Sequence, residues 1–190
     1  MTNMNILIVG VGGQGTVLAS RILGSLFIER GLEVKVSEVH GMSQRGGSVI
    51  TFVRAGENVA SPLIEPGGAD VIISFELLEA QRYAAYLKRG GTLIVNTQKI
   101  DPMPVITGAA EYPEDVRGTI EKLGMNAVYT DATALAVEAG SARAANVALL
   151  GAASKFIGGS EAEWEKAVLG CVPPKFAELN IRAFELGRNE

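Results

Sequence analysis

Asn5-Ile6-Leu7-Ile8-Val9-Gly10-Val11-Gly12-Gly13-Gln14-Gly15 decides how the rest of the chain is read. Asn5 to Val9 is a short apolar strand, and the residues after Gly15 carry a helical pattern. The glycine spacing therefore fits G-x-G-x-x-G between a strand and a helix, the context that gives this motif meaning. Without a Cβ, glycine lets backbone N–H groups approach a bound group and lets the turn use positive φ, a freedom expected here at Gly12. The helix beyond directs unpaired N–H groups and a partial positive charge at the crevice, so an anion is its natural occupant. The same glycines also serve simply to bring a first helix close to a sheet, and the motif alone leaves both readings open.

The dinucleotide fingerprint further requires an acidic residue about 20 positions on, at the end of the second strand. That strand reads Leu32-Glu33-Val34-Lys35-Val36, followed by Ser37. Glu38 meets the requirement only by a shift of one, which turns its side chain to the other face. This departure argues against an ordinary NAD site.

Outward from this turn, strands alternate with helices. A helix over 14–29 shows Leu18, Ala19, Ile22, Leu23, Leu26 and Phe27 on one face and stops at Gly31. A loop over 38–47 separates the second strand from Ser48–Arg54, a strand of strong β character. The connection is too short for a parallel crossover, so these two strands are expected to be antiparallel. Further strands are read at 69–74, 92–96 and 126–130. Helices are read at 76–88, closed by Gly90-Gly91, and around Val116, Ile120 and Leu123. Another covers 132–139 with Asp131 as N-cap. Prolines at 102 and 104 exclude a central strand there. The last third is helical: an alanine-rich segment over 143–157, a capping box at Ser160-Glu161-Ala162-Glu163 before the Trp164, Val168, Cys171 stripe, and a closing helix over 175–186 started by Pro174. The expected fold class is α/β, a single doubly wound, mostly parallel, Rossmann-like sheet with one antiparallel strand and a helical C-terminal third, in one domain spanning 1–190.

Composition narrows the chemistry. The 190 residues are 47% hydrophobic and 20% charged, with 23 glycines and a net charge of −4, so there is no basic field for nucleic acid. One cysteine, Cys171, excludes an internal disulfide and suggests a reducing compartment. One Cys and one His supply neither the four thiolates of an iron–sulfur cluster nor a structural zinc site. The first residues lack a basic n-region and no stretch approaches ~18 apolar residues, so a cytoplasmic location without a membrane span is expected.

The residues left for function lie in two loops. Glu38, His40, Ser43, Gln44 and Arg45 occupy a glycine-flanked stretch with no apolar period. Arg45 beside Gly46-Gly47 offers a fork to a phosphate or carboxylate, or else an ion pair to Glu38. His40 stands as a structural residue or a site residue. Asn146, inside the apolar helix, needs partners for its amide and is expected to bond a loop backbone or face another subunit. Arg143 and Asn180 are similar anchors or solvated positions. No nucleophile–base–orienter set, paired carboxylates or metal-ligand spacing is read.

Three stretches together resemble the gamma subunit of 2-oxoacid:ferredoxin oxidoreductases: Gly10–Gly15, Glu38-Val39-His40-Gly41-Met42-Ser43-Gln44-Arg45-Gly46-Gly47-Ser48, and Asn146-Val147-Ala148-Leu149-Leu150-Gly151-Ala152. Asn96–Pro102, Tyr112-Pro113 and Asn180–Phe184 are similar to the small (beta) subunit of the indolepyruvate branch. The resemblance implies a complex that converts a 2-oxoacid, coenzyme A and oxidised ferredoxin into acyl-CoA, CO2 and reduced ferredoxin. It implies that thiamine diphosphate, magnesium and iron–sulfur clusters are carried by larger partner subunits. This chain would contribute no catalytic residue and no metal ligand. Its Gly12, Gly13, Gln14 and Gly15, with His40, Ser43, Arg45, Gly46 and Gly47, would form binding or interface loops for coenzyme A or substrate. Two other classes stay open: a free-standing NAD- or ATP-using enzyme, and a ligand-free assembly module.

Overall fold

The computed structural model describes residues 3–40 and 47–190, with the backbone alone of His40. Six strands form one sheet: β1 (Met4–Val11), β2 (Glu33–His40), β3 (Ser48–Gly56), β4 (Ala69–Ser74), β5 (Leu87–Asn96) and β6 (Asn126–Thr130). Their order is β2-β3-β1-β4-β5-β6. Pairings from β1 through β4 and β5 to β6 are parallel, while β3 runs antiparallel to both β2 and β1. The expected α/β sheet with an antiparallel strand is what forms.

Alternation along the strands sends side chains to both faces, as a doubly covered sheet requires. Ile6, Ile8, Val71, Ile73 and Ile94 face α1 (Thr16–Glu29), α5 (Ala132–Ala139), α6 (Ala145–Ile157), α7 (Glu161–Cys171) and α8 (Ala177–Asn189). Leu7, Val9, Ile72, Leu93 and Val95 face α2 (Leu77–Arg82) and α4 (Val116–Lys122). Helices α6 and α8 touch backbone to backbone. A Cβ on Gly151 would overlap the Phe184 carbonyl, and one on Gly187 the Ala148 carbonyl. The capping box at Ser160 and Glu163 is present, and Trp164 behind it is fully buried with its indole N–H donated to Gly158 O at 3.0 Å.

Several boundaries differ from the sequence reading. The helix expected over 76–88 ends at Arg82, passes through a 3-10 turn at Ala84–Tyr86 and gives way to β5 from Leu87, five residues before the strand was expected. Gly90 and Gly91 lie inside that strand, and a Cβ on Gly91 would press on Asp70 O at 2.8 Å, so glycine serves close strand contact there, not a helix stop. Strand β2 continues through Glu38 and Val39 to His40, residues read as loop, because β3 is long enough to pair with them. Leu123 is 57% exposed and leaves the buried stripe to Val116 and Ile120. The first helix starts at Thr16, and the closing helix starts at Ala177 after a 3-10 turn over Pro174–Phe176. Among the described residues no helix is long and apolar enough to cross a membrane.

Candidate functional site

The glycine turn is held by its own glutamine. Gln14 Oε1 accepts the Val11 N–H at 2.7 Å, and its Nε2 donates to Phe75 O at 2.9 Å and to Gln98 Oε1 at 3.0 Å. A Cβ on Gly10 would lie 2.8 Å from Gln14 Oε1 and 3.1 Å from Phe75 Cβ, so the turn closes tightly on β4. Positive φ falls on Gly13 (97°) and Gly15 (87°), not on Gly12 as expected. Gly12 donates its N–H to Gly47 O at 3.0 Å. That bond brings together the two loops read separately in the sequence, one after β1 and one before β3.

Gly15 ends the turn against α6. Asn146, buried at 6% exposure, donates Nδ2 to Gly15 O at 3.2 Å and accepts the Val147 N–H at 2.9 Å. The expected loop-backbone partner of Asn146 is thus the glycine turn itself. No side chain caps α1, whose N-terminus opens on this side, whereas the first turn of α6 is closed by Asn146 Oδ1 on the Val147 N–H and by Ala142 O on the Ala145 N–H. Between them lies a cleft of about 280 Å³ lined by Gly13, Gln14, Gln98, Thr133, Arg143 and Asn146, among others. Asn96 fixes its floor, donating to Phe75 O at 3.1 Å and accepting the Ala132 N–H at 3.1 Å. Arg143 is the sole charged residue among those described around it. The open N-terminus of α1 and a guanidinium with no described carboxylate in the lining make the cleft attractive to an anion.

Gly12, Gly13, Gln14, Gly15 and Gly47 therefore meet in one region. The β2 residue His40 pairs with Val49 through its backbone. Its side chain, and Ser43, Arg45 and Gly46, lie outside the described residues. Glu38 is displaced from the ribose-binding position because β3 separates β2 from β1. It accepts instead from Thr51 Oγ1 at 3.2 Å and Thr16 Oγ1 at 3.4 Å.

A second polar cluster escaped the sequence reading, which found no paired carboxylates. Glu76 and Glu79, one helical turn apart, are 1% and 2% exposed. Glu76 accepts the Glu79 N–H at 2.9 Å, the Ile100 N–H at 3.1 Å and the Tyr112 hydroxyl at 2.6 Å. Glu79 accepts Ser48 Oγ at 2.5 Å and pairs with Arg82 at 2.6 Å. Burial pushes the Glu79 carboxyl up, against the lowering effect of Ser48 and Arg82. Burial, then the bond to Glu76, raises the Tyr112 phenol. The two carboxylates take partners distant in sequence, Ile100 and Tyr112 for Glu76 and Ser48 for Glu79, so no local pattern marks the pair as buried. Among the described residues no group of three His, Cys, Asp or Glu side chains is arranged to hold a metal, and Cys171 is a half-buried thiol whose burial raises its pKa.

Comparison with known proteins adds the decisive observation: residues 5–190 match the model of the family described as pyruvate ferredoxin/flavodoxin oxidoreductase. The chain belongs to this family. It is 45% identical over 192 residues to the indolepyruvate oxidoreductase subunit IorB of Thermococcus kodakarensis, covering 98% of this chain and 95% of that one. Among solved structures, the gamma subunit of the keto/oxoacid ferredoxin oxidoreductase of Geobacter sulfurreducens superposes with a TM-score of 0.72 at 27% identity, over 98% of this chain and 96% of that chain. The 2-oxoglutarate:ferredoxin oxidoreductase of Magnetococcus marinus, solved with 2-oxoglutarate, coenzyme A and succinyl-CoA, shares the fold at a TM-score of 0.73 and 22% identity; the match covers all of this chain and 31% of that one. The chain is thus a gamma-type subunit of a 2-oxoacid:ferredoxin oxidoreductase, and the family membership accounts for a nucleotide-like fold that lacks the ribose acid.

Proposed function

We propose that this chain is the subunit of an indolepyruvate or aryl-pyruvate:ferredoxin oxidoreductase that carries no cofactor of its own and completes the coenzyme A and substrate side of a cytoplasmic complex. The decarboxylation and electron transfer belong to thiamine diphosphate, magnesium and iron–sulfur clusters in larger partner subunits, whose ligands this one-cysteine chain does not supply. What falls to it is binding. The observation that carries the reading is the cleft beside the N-termini of α1 and α6, with the open end of α1 and Arg143 on its walls and no described carboxylate among its lining residues. A diphosphate or phosphate of coenzyme A suits those donors, and the absence of side chains at the glycines of the turn allows its close approach. Gly13 and Gln14 line the cleft, and Gly12, Gly15 and Gly47 adjoin them. His40, Ser43, Arg45 and Gly46 belong to the same proposal as the facing loop.

The test is anaerobic purification of the tagged full chain from its native cells, with iron, thiamine and turnover measured on what accompanies it. Recovery of a larger iron- and thiamine-containing subunit, with reduction of ferredoxin that depends on indolepyruvate and coenzyme A, is expected. Recovery of the chain alone with bound NAD or ATP would replace this reading by a free-standing nucleotide enzyme. A complex whose coenzyme A dependence is indifferent to Arg143 would leave an assembly module.

A further inference from the structure

Between the buried residues Asn96 and Val116, nothing from Thr97 to Asp115 is buried. This stretch is nonetheless tightly organised. Helix α3 (Met103–Ile106) is tied by Val105 N–H to Pro102 O at 2.9 Å, Thr107 N–H to Met103 O at 2.9 Å and Ala109 N–H to Pro104 O at 2.8 Å. Prolines at 102, 104 and 113 fix φ at three points. Its two ends are fastened to one buried group, since Glu76 Oε1 accepts both the Ile100 N–H and the Tyr112 hydroxyl. The result is a rigid projection whose tip carries Met103 at 50% and Ile106 at 64% exposure, with none of α3 buried. It leaves the body two residues after Gln98, which lines the cleft.

Resting on the subunit reading above, we propose that the projection of residues 100–112, clasped by Glu76, is the element that docks this chain onto the larger subunit of its complex. Met103 and Ile106 enter an apolar pocket there, rimmed by Lys and Arg. Charge selects that occupant. The stretch 99–115 carries Asp101, Glu111, Glu114 and Asp115 against the single cation Lys99, which lies 5.5 Å from the centre of the Tyr112 ring, a net charge of −3. Two such projections repel each other, which argues against a second copy of this chain, whereas a basic rim attracts one. The clasp and prolines set the bound conformation in advance, so docking orders little new chain. A Glu76 side chain with three donors holds both ends without using any apolar surface of the tip. Met103 and Ile106 remain available to a partner.

The experiment compares the full-length chain with its Met103→Asp/Ile106→Asp double variant. Each is titrated anaerobically against the separately purified larger subunit. The variant is expected to bind at least about tenfold more weakly, as loss of an apolar anchor does, with an unchanged melting temperature when alone. Equal binding by both chains overturns the docking proposal while leaving the subunit reading intact. A steep fall in melting temperature overturns it too, because these side chains would then serve their own fold. Failure of the unaltered chain to bind the larger subunit overturns the subunit reading and this proposal together. Self-association that the variant abolishes, with binding to the larger subunit unchanged, would assign the projection to a second copy instead.

Discussion

Asn146 hands its side-chain amide to the carbonyl of Gly15, 131 residues earlier, at 3.2 Å. The N-terminus of α6 thereby grips the glycine turn from which α1 departs, and the same side chain accepts the N–H of Val147. Asn146→Leu leaves the buried Val147 N–H without its acceptor and takes one of two donors from Gly15 O, which keeps the Ala19 N–H. A loss of about 1–3 kcal/mol in unfolding free energy is expected, read by urea denaturation, and the partially restoring variant is Asn146→Asp, which keeps the acceptor.

Gly13 and Gly15 separate two reasons for glycine in the same turn. Both have positive φ, but a Cβ on Gly13 meets open space while one on Gly15 runs into the Asn146 amide. Gly13→Ala should cost about 1–2 kcal/mol, the left-handed backbone penalty alone. Gly15→Ala should cost more, and Gly15→Ala combined with Asn146→Ala should recover part of the excess. Equal losses at the two glycines would show that the contact with α6 is unimportant.

Glu79 gives a pH signature. Its folded-state carboxyl lies above the ordinary value of 4.5 because of burial. A raised carboxyl favours folding most below its unfolded pKa, and that contribution is lost as the pH rises through the folded value. Glu79→Gln should therefore flatten the decline in melting temperature on the way from acid to neutral pH. A variant whose pH profile parallels the unaltered chain would remove Glu79 as the source.

Glu163 should act in the opposite sense. Bonds from the Ser160 backbone, Arg30 and the Ser160 hydroxyl hold its carboxyl down at about 2. Its stabilising contribution is present above the unfolded value of 4.5 and is lost as the pH falls toward 2. Glu163→Gln should make the chain less sensitive to acid over that range in thermal melts, by a modest margin because the group is exposed.

Arg143 tests the cleft. In the assembled complex, Arg143→Ala should raise the KM for coenzyme A about tenfold, the loss of one charge-assisted contact, with kcat little changed. Stability should stay within about 0.5 kcal/mol, as for most surface positions. An unchanged KM would move the anion site elsewhere.

Much of this architecture was legible because its signals are local. Ile6 to Val9, Val71 to Ile73 and Leu93 to Val95 are short apolar runs that only a sheet covered on both faces accommodates, and the short connection before Ser48 announces an antiparallel strand. The error over 76–88 has a physical cause. Leu77, Ala80, Ala84 and Leu87 keep helical spacing, yet Leu87 already pairs with Ala69 of β4, and pairing with a neighbouring strand outweighs a four-residue periodicity. The cleft was half legible. Gly13 and Asn146 stand out as a glycine in a turn and an amide in an apolar helix, whereas Gln98 and Thr133 look like any polar residues after a strand. They acquire a role when β5 and α5 bring them to one place. Glu76 was missed for the same reason, since its partners at Ile100 and Tyr112 lie 24 and 36 residues away.

The insertion of β3 between β2 and β1 also limits what this protein can be turned into. The backbone at the end of β2 stands two strand spacings, roughly 9–10 Å, from that of β1, and the one carboxylate that reaches across β3, Glu38, is engaged by Thr51 and Thr16. A designer seeking NAD binding would have to free Glu38 from two threonines on different elements, so the inserted strand that displaces this acid also keeps it occupied.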